Sequence, residues 1–118
     1  MGQFLSKILV TAVAALIASY LLPGVHIKDS ITAVILAVVL ALLNNFVKPI
    51  LIILTIPISI LTLGLFLLVI NIIIIKWAAQ IVPGFSVDSW WYALLFSILL
   101  SLTTALIENL IAANDKKN

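Results

Sequence analysis

The chain reads as an all-α, polytopic integral membrane protein: four transmembrane helices arranged as two tandem helix-hairpin repeats, joined by a proline-broken apolar segment. Three observations predict this class. Of its 118 residues, 65% are hydrophobic and only 8% are charged, with a mean hydropathy of +1.41. A soluble chain with that composition would have too little polar surface to cover its apolar bulk, whereas in lipid a helix can be apolar on every side. Positions 4–51 return, without a gap, sixty residues later as 64–111. Both copies contain apolar runs of membrane length, close to the ~20 residues that cross a bilayer.

The repeat is carried by punctuation more than by aligned leucines. Ala18-Ser-Tyr-Leu-Leu-Pro23-Gly24-Val-His-Ile in the first copy corresponds to Ala78-Ala-Gln-Ile-Val-Pro83-Gly84-Phe-Ser-Val in the second. Further identities are Ala33/Ala93, Leu40/Leu100 and Leu42/Leu102. Pro stops a helix and Gly permits positive φ, so Pro23-Gly24 and Pro83-Gly84 mark the two turns.

The four expected spans are residues 4–22, 31–47, 65–82 and 90–112, followed by a polar tail over 113–118. Lys7 ahead of an apolar run could also open a secretory signal, but the match of 4–22 to the third span makes it half of a repeat. The central apolar segment, 49–63, is broken. Pro49 suits a first helical turn, while Pro57 removes a backbone donor and crowds the turn before it, and Gly64 ends the stretch. It reads as interfacial or re-entrant. A fifth crossing is the alternative, and would place the two Pro-Gly loops on opposite faces. Four crossings with cytoplasmic termini put Lys7, Lys48, Lys116 and Lys117 inside, which satisfies the positive-inside rule, whereas five crossings lose the bias. Trp90, Trp91 and Tyr92, with Tyr20, then lie at the outer interface as anchors.

Small residues fall four apart on the second span (Ala33, Ala37, Ala41, then Asn45) and on the fourth (Ala93, Ser97, Ser101, Ala105). Matched seams of this kind let backbones approach in lipid, so these two helices are expected to pack on each other about an axis along the membrane normal. That arrangement would bring Lys48 to Glu108 at the cytoplasmic end. Asn44 and Asn71 are expected to hydrogen-bond between helices. Lys76 is expected to snorkel outward, or else to pair with Asp88.

The inventory points away from several function classes. One His, no Cys and four scattered acids provide no nucleophile-base pair, carboxylate pair, phosphate loop or metal cluster. No enzyme, cofactor or metal is therefore expected, and His26 alone makes no metal site. Six lysines against four acids give a net charge of +2, too little and too scattered for a nucleic-acid surface. Two-helix repeats leave little room for a central transport site, so any aqueous path would form between protomers.

The run Asn44-Asn-Phe-Val-Lys48-Pro49-Ile-Leu, then Leu54-Thr-Ile-Pro57, then Leu61-Thr-Leu-Gly64-Leu-Phe-Leu-Leu-Val-Ile-Asn71, together with the two Pro-Gly loops, resembles small bacterial membrane proteins grouped as phage holin superfamily IV. The resemblance covers nearly the whole chain. It implies a multi-pass protein of the bacterial inner membrane that self-associates into a homo-oligomer within the lipid bilayer. It further implies permeabilisation, which in holins lets an endolysin reach the wall. The alternative is a non-lytic accessory protein for envelope maintenance or scaffolding, with another membrane protein as partner.

Overall fold

A computed structural model describes residues 2–62 and 64–117, the side chains of Ser59, Asp115, Lys116 and Lys117 excepted. The expected charges of Lys116 and Lys117 thus lie outside the described side chains, as does the last residue of the 113–118 tail. The element order is α1 (Gly2–Leu21), β1 (Val25–Ile27), α2 (Ser30–Leu42), a π-helical turn (Leu43–Val47), α3 (Lys48–Leu54), α4 (Ile56–Leu61), α5 (Phe66–Ile81), β2 (Phe85–Val87) and α6 (Trp90–Lys117). Among the described residues, three apolar helices are long enough to cross a membrane: Gly2–Leu21, Ser30–Leu54 and Trp90–Asn114. The fourth expected span is the 16-residue α5, about 24 Å long and held short between Gly64 and Pro83.

The second span runs further than expected, and the prolines explain how. Pro49 has no N–H for the carbonyl four residues back, and its ring crowds that carbonyl. The chain accommodates it by widening one turn: the Lys48 N–H reaches back to the Leu43 carbonyl, a π-type bond. The helix therefore passes Pro49 and ends at Thr55, where φ is −110° and ψ 12°. Pro57 then sits in the first turn of α4, a position that needs no donor. The Thr55 hydroxyl donates to the Leu51 carbonyl at 2.7 Å and closes α3. Gly64, at φ +88°, turns the chain into α5. Of the segment expected as separate from the second span, only the part after Leu54 departs from that helix.

The Pro-Gly loops do something the composition does not announce: they pair. β1 and β2 form a two-stranded antiparallel sheet with Val25 opposite Val87, His26 opposite Ser86 and Ile27 opposite Phe85. Its flanking bonds come sixty residues apart. The Lys28 N–H donates to the Gly84 carbonyl at 2.9 Å, and the Asp88 N–H to the Gly24 carbonyl at 2.8 Å. The helix caps follow the same offset. The Asp29 carboxylate accepts from the Thr32 N–H at 2.8 Å, and the Ser89 hydroxyl accepts from the Tyr92 N–H at 3.3 Å. Both loops therefore stand at one end of the molecule, with α3, α4 and the chain ends at the other.

Asp29 also accepts the Thr32 hydroxyl at 2.7 Å. The Thr32 hydroxyl, then its N–H, then nearby Lys28 hold the Asp29 carboxyl below the ordinary carboxylate range. A depressed folded value means this stabilisation is present at neutral pH and is lost only as the pH falls through that lowered value. Asp29→Asn should accordingly lower stability at neutral pH and flatten the acid limb of a stability-versus-pH profile, with variant and wild type converging below that lowered value. An identical acid limb would argue that the cap has no thermodynamic weight.

The core lies at the sheet end. Ala15 and Ala18 of α1, Leu36 and Leu40 of α2, Ile70, Ile74, Ile75 and Ala78 of α5, and Ala93 and Phe96 of α6 form one buried cluster, roofed by Leu22, Val25, Val82 and Phe85. The Phe85 and Phe96 rings stack at 5.4 Å, tilted by 44°. A smaller cluster joins Ile8 and Ala12 of α1 to Ala33 and Ala37 of α2. α1 packs on α2 and α6, and α5 on α6 and α2, whereas α2 and α6 make no close backbone approach among the described residues. The expected seam between the second and fourth spans is therefore corrected. The short loop of each hairpin fixes its neighbours, so Ala33 and Ala37 face α1.

Outside this core the chain is apolar and uncovered. Ile31, Leu54 and Leu61 are 72%, 71% and 83% exposed. Surface of that kind in water would be an aggregation liability; against acyl chains it incurs no penalty. Trp90 and Trp91 are exposed at the sheet end, the level at which anchoring aromatics sit.

Candidate functional site

Below the core, α2 and α6 diverge and leave a cleft of about 340 Å³. α1 contributes Phe4, Lys7, Ile8 and Thr11, the α2 side contributes Ala37, Leu40, Ala41, Asn44 and Asn45, and α6 contributes Leu100, Ser101, Thr104, Ala105 and Glu108. The gap follows from residue size. Ala41, Ser101 and Ala105 on its wall are too small to fill the space that remains between Phe4, Ile8, Leu40 and Leu100. The π turn carries Asn44 and Asn45 on the wall of the cleft.

At 1.5 Å per residue, Lys7 lies ~21 Å along α1 from its sheet end, and Glu108 lies ~27 Å along α6. With a hydrocarbon core ~30 Å thick, the cleft occupies the half of the span nearest the termini, and its two charges stand close to that membrane boundary. A second cavity of about 370 Å³ adjoins it between the first turns of α1 and the last of α6. It shares Lys7 and Glu108 and adds Gly2, Gln3, Ser6, Val10, Ile111 and Ala112.

The residues expected to matter distribute unevenly. Asn44, Ser101 and Glu108 meet in the cleft. Asn71 is half-buried on α5 and does not line it. Among the described residues, neither Asn44 nor Asn71 hydrogen-bonds to another helix. Lys48 is half-buried and stays off the cleft, so Glu108 shares the cleft with Lys7 rather than Lys48, and neither lysine is ion-paired with it within 4 Å. Ser97 is buried and donates to the Leu94 carbonyl of its own helix at 2.9 Å.

Asp88 does not take up the alternative pairing with Lys76. Its carboxylate lies 3.1 Å from His26 Nε2 across the sheet, with both side chains more than half exposed, and not beside Lys76. Pro23 and Pro83 stand just beyond the helices they end, and Pro49, Pro57 and Gly64 shape the central hairpin as described. Gly84 has φ +90°, but Gly24 does not share it. Gly24 is needed for a different reason: the Tyr92 ring lies where a Cβ would stand.

In the sequence Lys7 stands out only as a topological charge, and Thr11 and Thr104 do not stand out. A signal for them exists. Lys7 and Thr11 are four apart on α1, and Ser101, Thr104 and Glu108 follow at three and four on α6, so each set shares a helix face. The cleft offers hydroxyl, amide, ammonium and carboxylate groups at one depth. Among the described residues no group of three His, Cys, Asp or Glu could hold a metal.

The model of one protein family matches residues 2–106. The uncharacterized membrane protein YvlD of Bacillus subtilis is 36% identical over 109 residues, covering 92% of each chain. The uncharacterized protein SCO3922 of Streptomyces coelicolor is 35% identical over 114 residues, covering 88% of this chain and 91% of its own. No solved structure matches this chain. Several apolar helices of membrane length, a proline-shaped central hairpin and this nearly complete match agree: the chain is a membrane protein and belongs to the family described as Mycobacterial 4 TMS phage holin, superfamily IV.

Proposed function

We propose that this holin-like protein crosses the bacterial inner membrane four times as two tandem helix hairpins, with both termini cytoplasmic. In this reading it self-associates through α6 and makes the membrane permeable as an oligomer. The topology draws support from the paired loops, which place both Pro-Gly turns at one end, and from Lys7 and Lys48 at the opposite end.

Self-association rests on one observation. Only 11% of the α6 membrane window is buried within the chain, against 33% for each of the other two long spans. Ile98, Leu102, Leu106 and Leu110, four apart on α6, are all exposed. A second copy packed there would bring two polar clefts near one another. A protomer alone offers no crossing path, since Leu36 and Phe96 are fully buried above the cleft.

That same closure favours a second reading, a non-catalytic, non-lytic accessory protein that maintains the envelope or scaffolds another membrane component. Induced expression separates the two. Membrane potential is followed together with release of a cytoplasmic endolysin that lacks an export signal. Depolarisation and abrupt lysis are expected for the first reading; polarised, intact cells at high protein levels would sink it. In isolated membranes, Leu102→Cys should give disulfide-linked dimers, while Val13→Cys, on an exposed site of α1, should not. Equal cross-linking at both would leave α6 with no special role.

A further inference from the structure

The cleft holds an ammonium and a carboxylate that face one space without pairing. Lys7 and Glu108 both line it, yet they do not approach within 4 Å. Two opposite charges near the membrane boundary would ordinarily close on each other, because each is costly to leave without a partner as the surroundings become apolar. Sharing the walls with Thr104 and Asn44, they match a ligand that itself carries both charges. The volume, about 340 Å³, lies within the ~300–1,000 Å³ typical of small-ligand sites.

We propose that this cleft binds the headgroup of a zwitterionic phospholipid bearing a primary amine, with its phosphate on Lys7 and its ammonium on Glu108. Three features select this class. The site stands at the level where headgroups begin, judged from the rise along α1 and α6. The adjoining cavity shares both charges and is walled by Val10 and Ile111, so acyl chains can leave sideways between α1 and α6. Glu108 disfavours a purely anionic headgroup by like-charge repulsion. A quaternary ammonium has no N–H to give to Glu108, and Phe4 is the one aromatic ring on the wall, short of the cage such groups require. The inference needs neither lysis nor self-association; a non-lytic accessory protein would carry the same site.

The test uses the full chain in nanodiscs of phosphatidylcholine alone, or with phosphatidylethanolamine or phosphatidylglycerol added. Retained lipid and thermal unfolding are the readouts. Ethanolamine lipid should be retained about tenfold over choline lipid, the ratio one charge-assisted hydrogen bond of ~1.4 kcal/mol supplies, and it should raise the unfolding temperature. Glu108→Gln should bring that preference to unity, and Lys7→Gln should remove retention of all three lipids. Both side chains are exposed, so both variants should still fold, shown by a cooperative unfolding transition in pure phosphatidylcholine. An ethanolamine effect that survives in both variants would be a bulk bilayer property and would overturn the site, as would equal retention by the wild type. Protection of the detergent-solubilised protein by free glycerophosphoethanolamine at equal strength would overturn the lipid as the source.

Discussion

Val25→Cys combined with Val87→Cys should yield a disulfide in nearly every molecule, visible as a reductant-sensitive shift on a gel. The two residues face each other in the antiparallel sheet. They lie between the hydrogen-bonded pairs that Gly24 makes with Asp88 and Gly84 with Lys28, which makes them a non-hydrogen-bonded pair with Cα atoms ~4.5 Å apart. That distance falls in the range a disulfide bridges. The chain has no native Cys, so no competing pairing exists. Closing a loop of about sixty residues would stabilise a soluble chain by about 4 kcal/mol through lost chain entropy. The gain here should be smaller, because an unfolded membrane chain is already confined by the bilayer. The qualitative outcome is decisive for topology. With five crossings the two loops would stand ~30 Å apart across the hydrocarbon, and no cross-link could form within one molecule.

This pairing is the feature least visible in the residues. Val-His-Ile and Phe-Ser-Val are three residues each, too short to declare a strand, and each becomes one only because the other is beside it. The Pro-Gly punctuation was readable because Pro and Gly act locally: they end a helix or turn a chain whatever lies around them. Packing partners were not readable in the same way. Ala33 and Ala37 announce a face that another backbone can approach, but small size does not say which backbone. The short β1 loop holds α1 against that face, and α6 is left with little cover over its lower half. Pro49 suits a helix start and Pro57 a break. Both hold locally, yet the π turn that carries the helix past Pro49 depends on relaxation of the whole preceding turn, from Leu43 to Val47.

The cleft was half legible. Asn44, Ser101 and Glu108 stood out as polar groups within or at the end of apolar runs. Their expected partners were wrong because that expectation joined α2 directly to α6. Once α1 stands beside both helices, Lys7 rather than Lys48 shares the cleft with Glu108. Position along a helix sets depth, and depth alone brought the right residue types to the right level. Azimuth around the bundle, which decides contact, depends on which helices are neighbours.

Gly24 and Gly84 occupy equivalent places in the repeat and should fail for different reasons when replaced. Gly24→Ala puts a methyl group into the Tyr92 ring at its Cγ, Cδ2 and Cε2 atoms. These atoms lie near the root of the side chain and cannot swing aside as a flexible tip would. An expected loss of about 2–3 kcal/mol follows from overpacking of a tight contact. Gly84→Ala meets Lys28 Cβ at 3.0 Å and Thr32 Oγ1 at 3.1 Å, and it must hold φ at +90°. Left-handed backbone costs a residue with a Cβ about 1–2 kcal/mol, and the close contacts add to that. The two losses separate in double variants. Tyr92→Ala should restore most of the stability lost in Gly24→Ala, a non-additive result, since the two residues form one contact. No truncation relieves a torsion, so Gly84→Ala should keep the torsional part of its cost in any background, while Gly84→Asn, a residue more tolerant of positive φ, should lose less than Gly84→Val. Thermal unfolding in a single detergent measures all five. If Tyr92→Ala leaves the Gly24→Ala loss intact, the ring is not what excludes a side chain there. The matching Pro-Gly pairs would then share a backbone requirement that their differing φ angles do not reveal.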